Sequence, residues 1–277
     1  MSTFVKTGVI GHPVNHSLSP RIHNFWIEKY QLEGAYEAID CAPLDLADTI
    51  KRLVDSGYRG FNVTLPHKET IMKLCDTVDL NAQNIGAVNT VVIEDGRLRG
   101  LNTDGFGFLA NIYETEPGYA FDYKCAVVLG AGGAARAVVS ALIGEQIEKI
   151  ILLNRTRANA QILADEMNMG TGIIEVRDWD ERAQVLKDAD MLVNTTSLGM
   201  TGQPPLEIDL QALSANALVN DIVYAPLDTP LLKQARARGA LAISGIGMLL
   251  HQARPAFNEW FGVAPEVTEE LRERVLK

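Results

Sequence analysis

Cysteine is scarce: there are three in 277 residues, Cys41, Cys75 and Cys125, odd in number and far apart. They form neither a disulfide framework nor a CxxC pair, which points to a reducing compartment. Long hydrophobic runs are also missing, and no stretch approaches the length of a membrane span. The opening residues Met1-Ser2-Thr3-Phe4-Val5-Lys6 run directly into a strand pattern, without the apolar core of a signal peptide. A cytoplasmic, soluble chain is expected. Positive charge is the third shortage. The formal net charge is −10 and no basic run exists, which argues against a nucleic-acid partner. An anionic ligand would therefore have to be drawn by local groups. His12, His16 and His23 come early, but no acidic residue or cysteine joins them at zinc-ligand spacing, so no metal is expected. Repeats and low-complexity segments are absent.

What is present is a globular composition, 47% hydrophobic and 22% charged, in a chain long enough for two domains. Roughly the first hundred residues mix strand and helix. Strands are predicted at 7–11, 35–40 and 60–64, with helices from Pro20 to about Tyr30, at 44–56 and at 69–74. Ser19 is placed as the N-cap of the first helix, with proline in its first position. The segments 90–94 and 97–101 flank Asp95-Gly96, a two-residue hairpin signal. After about Phe121 the pattern alternates. Strands are expected at 125–129, 150–153, 173–176, 191–194, 218–221 and 241–244, and helices at 134–143, 157–167, 180–187 and 230–238. That alternation marks an α/β, doubly wound parallel sheet. An apolar helix at 245–261 and a charged one at 266–277 close the chain.

The stretch Val127-Val128-Leu129-Gly130-Ala131-Gly132-Gly133-Ala134-Ala135-Arg136 has an apolar run entering a glycine cluster and a helix leaving it. This is the strand, turn and helix of a dinucleotide-binding unit, whose helix N-terminus offers free N–H groups to a pyrophosphate. Ala135 stands where a third glycine would be. Some twenty residues on, the next strand ends in Asn154-Arg155-Thr156. An acid there would suit the ribose of NAD, whereas an arginine suits the 2′-phosphate of NADP.

Further polar clusters could carry chemistry. Ser17 and Ser19 lie two apart at a helix mouth, where neutral donors and the dipole can hold a carboxylate. In Asn62-Val63-Thr64-Leu65-Pro66-His67-Lys68, Asn62 and Thr64 share a strand face and Lys68 follows at the strand end, placed to donate a proton or clamp charge. Asn89 and Asn102-Thr103-Asp104-Gly105 form another group, with Asp104 either a helix cap or the partner of Lys68. Finally, Asn194 to Met200 and Asp221 to Tyr224 follow strands, and Met248 and Gln252 fall four apart on one helix face. A glutamine on such a stripe needs a partner.

Taken together, these motifs closely resemble the shikimate dehydrogenase family. The resemblance covers His16-Ser17-Leu18-Ser19-Pro20, the segment 62–68, Gly86-Ala87-Val88-Asn89-Thr90, Asn102-Thr103-Asp104-Gly105, the glycine turn, Asn154-Arg155-Thr156, 194–200, Tyr224 and Gly245 through Gln252. It implies an N-terminal α/β substrate domain over 1–105 and a Rossmann-like NADP-binding domain over 106–244. Helices over 245–277 would return to the substrate domain, with the active site in the cleft between domains. The implied reaction is NADPH-dependent, reversible reduction of 3-dehydroshikimate to shikimate in aromatic amino-acid biosynthesis. Lys68 and Asp104 would be catalytic. Ser17, Ser19 and Tyr224 would take the substrate carboxylate. Thr64, Lys68, Asn89, Asp104 and Gln252 would hold its hydroxyls and reacting oxygen. Gly130, Ala131, Gly132, Gly133 and Ala134 would cradle the pyrophosphate, Asn154, Arg155 and Thr156 the adenosine phosphate, and Ile222, Gly245 and Met248 would border the nicotinamide. One departure concerns the cofactor. The family often places a second basic residue four after the arginine, but here that position is Asn159, while Arg157 could reach in from the loop. The rivals are an NAD-preferring quinate/shikimate dehydrogenase and a non-catalytic NADP-binding sensor. The expected form is a monomer or homodimer acting on a small molecule.

Overall fold

The computed structural model describes residues 4–122, 124–168 and 170–277. The chain divides into two compact units. One runs to Asp104 and takes in Leu250–Lys277; the other is Gly105–Leu249.

The first unit is built on a six-stranded mixed sheet. Its strands are β1 (Val5–Gly11), β2 (Gly34–Asp40), β3 (Tyr58–Val63), β4 (Thr77–Val78), β5 (Thr90–Glu94) and β6 (Arg97–Leu101), in the order β2-β1-β3-β5-β6-β4. β1 lies parallel to both β2 and β3, with Ile10 paired to Val63, so the loops after β1 and β3 leave the same sheet edge. β5 and β6 form the expected hairpin: Asp95 (φ 52°) and Gly96 (φ 76°) are both left-handed, which fits the twist of the flanking strands. Helices α1 (Ser19–Lys29), α2 (Leu46–Asp55), α3 (Lys68–Met72) and α4 (Leu80–Ile85) complete the N-terminal part. Ser19 is not the cap of α1 but its first helical residue. Leu18 occupies the cap position without a side-chain bond, and Ser17 Oγ accepts from the Ser19 N–H at 3.3 Å. One core gathers Ile10, Phe61, Val63 and Val91 with Leu46, Ile50 and Leu53. A second, aromatic cluster unites Trp26 of α1 with Phe257 and Trp260; the Trp260 indole N–H donates to Val91 O at 3.1 Å. That contact and the Trp26 N–H to Glu266 O (3.1 Å) fasten the C-terminal segment onto this unit.

The second unit carries six strands, all parallel: β7 (Cys125–Leu129), β8 (Lys149–Leu153), β9 (Ile174–Arg177), β10 (Met191–Asn194), β11 (Leu218–Asp221) and β12 (Leu241–Ser244). Their order, β12-β11-β10-β7-β8-β9, is the doubly wound order, with its reversal between β7 and β10. In chain order come α5 (Asp104–Thr115), α6 (Gly133–Gly144), α7 (Arg157–Asn168), α8 (Pro230–Ala237), α9 (Ile246–Phe261) and α10 (Glu269–Leu276). α5 enters the unit from Asp104; α9 leaves it at Leu249 and α10 belongs to the first unit. Ile246 to Leu249 group with this unit, whose apolar core includes the buried Met248 along with Val128, Val193 and Ile243. The helix expected at 180–187 is two short 3-10 turns, Trp179–Glu181 and Gln184–Asp188. Leu186 is the one buried residue across 180–188, too little apolar face to hold a helix down.

Candidate active site

In the first unit, the hairpin decides which polar groups meet. Its two-residue turn pairs Glu94 with Arg97, and the ladder runs back to Thr90 opposite Leu101. Asn89 thus lies beside the segment Asn102-Thr103-Asp104, with its N–H donating to Leu101 O at 3.0 Å. Lys68 opens α3, and its carbonyl accepts from Val88 N at 2.8 Å, which ties that helix start to the same strand end. The Lys68 ammonium donates to Asp104 Oδ2. Asp104 Oδ1 accepts from Asn89 Nδ2 at 2.8 Å, and its own N–H donates to Asn102 Oδ1 at 3.0 Å. Gln252 arrives from α9; its Oε1 accepts from Asn89 Nδ2 and Thr103 Oγ1, both at 3.4 Å. The partner that a buried glutamine requires is therefore present.

Asp104 is the first helical residue of α5 and not its cap, and its carboxylate goes to Lys68 and Asn89. The side chains of Lys68 and Asp104 keep only 15% and 9% of their exposure. Burying an ion pair gives little net stability because desolvation offsets the attraction. A half-buried lysine and a buried carboxylate lined by neutral donors fit proton handling better than a stabilising role. Thr64 follows β3, and its N–H donates to Ile10 O at 2.9 Å. It leaves the same sheet edge as the loop of Ser17 and Ser19. No described contact joins Ser17, Ser19 or Thr64 to the Lys68 cluster. Asn62 is buried, Tyr36 OH donates to its Oδ1 at 2.7 Å, and its Nδ2 donates to Asn89 O (3.1 Å) and Thr90 Oγ1 (3.0 Å). The sequence assigns no role to Thr90 or Thr103, although the hairpin register alone brings the Asn-Thr pair of one strand end to that of the other.

In the second unit, Gly130 has φ +111°, and a Cβ there would stand 2.5 Å from Thr195 Oγ1, so glycine is required for backbone reasons. Gly132 differs: it precedes α6, and a Cβ on it would meet nothing within 4 Å. Ala131, Gly133 and Ala134 are half-buried around that opening, and α6 begins without a side-chain cap. Ala135 is fully buried in the apolar core, so its methyl fills the helix–strand contact that a third glycine would leave open. At the end of β8, Asn154 Nδ2 donates to Thr156 O at 2.9 Å, and Arg155 is exposed with no ion-pair partner among the described residues. Arg157, in contrast, is held by Asp178 (2.7 Å) and Val176 O (3.4 Å). That exposed pair engages the guanidinium that could otherwise reach in toward a phosphate.

Past β11, the buried Asp221 accepts from Asn194 Nδ2 (2.9 Å), Val223 N (3.1 Å) and Thr229 Oγ1 (2.7 Å). Burial raises its pKa above the ordinary carboxylate value, the three bonds opposing. These bonds fix the segment carrying Ile222 and the half-buried Tyr224, whose phenol burial also pushes up. Gly245 packs on the Ile222 carbonyl so closely that no Cβ fits. Among the described residues no cluster of His, Cys, Asp and Glu could hold a metal ion, and His12 is instead paired with Asp40 at 3.0 Å. None of the described helices is long and apolar enough to cross a membrane.

Two family models match the chain: a shikimate dehydrogenase substrate-binding domain over residues 9–91 and a shikimate/quinate 5-dehydrogenase domain over 115–201. A shikimate dehydrogenase (NADP(+)) of Rhodospirillum rubrum is 51% identical over 97% of this chain and 96% of its own length. A shikimate 5-dehydrogenase of Thermus thermophilus, solved with NADP(H) and shikimate, superposes with a TM-score of 0.86 at 36% identity, covering 98% of both chains. A quinate dehydrogenase of Corynebacterium glutamicum in complex with NAD superposes with a TM-score of 0.91 at 33% identity, covering 99% of both.

Proposed function

This chain belongs to the shikimate dehydrogenase family, and from that premise we propose that it reduces 3-dehydroshikimate reversibly to shikimate with NADPH. The observation that carries the reading is the pairing of half-buried Lys68 with buried Asp104, bonded to Asn89 and through it to Gln252. A nucleotide-binding protein with no reaction to run has no use for such a group.

The residues present fit NADP. The open space at Gly132 leaves room for a pyrophosphate against the uncapped start of α6. Arg155, with no ion-pair partner among the described residues, stands at the strand end where an acid would select NAD. Gly130 to Ala134 would hold the pyrophosphate, Asn154, Arg155 and Thr156 the adenosine phosphate, and Ile222, Gly245 and Met248 the nicotinamide. When bound, the cofactor supplies the hydride.

The chain's own residues do the rest. Ser17, Ser19 and Tyr224 hold the substrate carboxylate, and Thr64, Asn89 and Gln252 its hydroxyls. Lys68 Nζ delivers a proton to the oxygen that becomes a hydroxyl on reduction and takes it back on oxidation. Asp104 keeps the ammonium aimed at that oxygen. Holding the ring by several neutral donors makes the transfer effectively intramolecular. The domains of this reading are 1–105 for substrate, 106–244 for NADP, and 245–277 as the closing helices, which group with the first unit from Leu250 onward. We place the protein in the cytoplasm as a monomer or homodimer without nucleic-acid partners, in keeping with its −10 charge. Shikimate-dependent formation of NADPH tests the activity. Lys68→Ala should lower kcat roughly 10²–10⁴-fold, the scale of a positioned acid–base group. Near-normal turnover by that variant would remove Lys68 from the mechanism.

A further inference from the structure

We propose that Thr90 is a positioning residue that fixes the direction of the Asn89 amide toward Asp104. Donors and acceptors in this buried network must match one another, because water does not relax them. Asn62 Nδ2 faces the Asn89 backbone carbonyl at 3.1 Å, and a carbonyl can only accept. That sets the Asn62 amide: Nδ2 points toward Asn89 and Oδ1 receives Tyr36 OH at 2.7 Å. Burial raises the Tyr36 phenol well above its ordinary pKa, so it remains a donor. The second Asn62 N–H goes to Thr90 Oγ1 at 3.0 Å. With that lone pair used, the Thr90 hydroxyl proton goes to Asn89 Oδ1 at 2.9 Å. The Thr103 backbone N–H donates to the same oxygen at 2.9 Å.

Asn89 Oδ1 is thereby held by two donors, and its Nδ2 must face Asp104 Oδ1 at 2.8 Å. Turned the other way, the amide would set oxygen against a carboxylate and its NH₂ against two donors. Asn62, Thr90, Asn89 and Thr103 are all nearly fully buried, so each unmet group would carry its full desolvation cost. Thr90 itself is fully buried, and its one hydroxyl proton is committed to Asn89. It acts on the reaction only through Asn89, and the carboxylate that aims Lys68 is the group it orients. This rests on the role given above to Asn89 and Asp104.

The test is a double-mutant cycle on Thr90→Val and Asn89→Ala, read as shikimate-dependent NADP+ reduction. Thr90→Val alone should lower kcat about 3- to 12-fold, the worth of one net hydrogen bond, with KM for NADP+ unchanged. Thr90→Ser, which keeps the hydroxyl, should restore kcat to within about 2-fold, as a single retained bond requires. On the Asn89→Ala background, Thr90→Val should change kcat less than about 2-fold, because its route of action is gone. An equal loss on both backgrounds overturns the proposal. If Thr90→Val does not fold, Thr90→Ala and Thr90→Ser make the same comparison. Loss in alanine alone supports the hydroxyl, and equal loss in both assigns Thr90 to packing and overturns it. Absence of any shikimate-dependent activity in the unmutated chain would instead refute the functional reading beneath it.

Discussion

Arg155 and Arg157 stand two residues apart and do different work. Arg155 is exposed, with no ion-pair partner among the described residues, whereas Arg157 starts α7 and is held by Asp178 and Val176 O. A guanidinium already committed to a carboxylate would have to give up that bond to reach a phosphate. Arg155→Ala should therefore raise KM for NADP+ roughly 10- to 100-fold, the range of hydrogen bonds to a charged group, and leave KM for NAD+ nearly unchanged. Arg157→Ala should move KM for NADP+ less than about 3-fold, as for an exposed ion pair. Initial rates at varied cofactor concentration separate the two, and equal effects would put both arginines on the phosphate.

The turn between β7 and α6 is where a motif divides into separate physical causes. Gly130 answers to backbone strain and to Thr195, and Gly132 to empty space. Gly130→Ala should cost about 1–3 kcal/mol in stability through its left-handed backbone, visible as a lower Tm. Gly132→Val should leave Tm of the protein without cofactor nearly unchanged while raising KM for NADP+, because the side chain enters the space the ligand needs. A fall in Tm for Gly132→Val as large as for Gly130→Ala would contradict this division. The elements themselves were largely legible in sequence. Strand runs such as Met191–Asn194 and Leu218–Asp221, and the Asp-Gly hairpin, are local patterns with local causes. The failures have causes too. The segment at 180–188 alternates like a helix but buries only Leu186, and whether a face finds a core is a tertiary fact. Ser19 looked like a cap because caps are read from residue type, yet the backbone enters α1 one residue earlier and Ser17 takes the bond. In the site, Lys68, Asn89 and Asp104 could be named, but not Thr90, whose importance lies in which way its one proton points.

At the scale of the whole chain, the aromatic cluster of the first unit contains a histidine with an acid-stability signature. His23 is fully buried, stacked on Tyr36 at 4.1 Å, with Trp26, Phe257 and Trp260 around it. Burial pushes its pKa from 6.5 down to about 3. Between those values the unfolded chain binds a proton there and the folded chain does not. Its share of stability is thus complete above pH 6.5 and is lost as the pH falls toward 3. At about pH 5 the loss is roughly 2 kcal/mol. Denaturant unfolding at about pH 7 and pH 5 should show a gap between the two conditions that is smaller by roughly that amount in His23→Leu. An unchanged gap would mean that the imidazole is protonated within the fold.

The proposed reaction joins shikimate to NADP, whereas a similar structure is a quinate dehydrogenase in complex with NAD. Steady-state kinetics on the unmutated protein, with shikimate and quinate each paired with NADP+ and NAD+, tests that claim most directly. The highest kcat/KM is expected for shikimate with NADP+. A higher value for quinate with NAD+, or no reduction of either cofactor by shikimate, would contradict it.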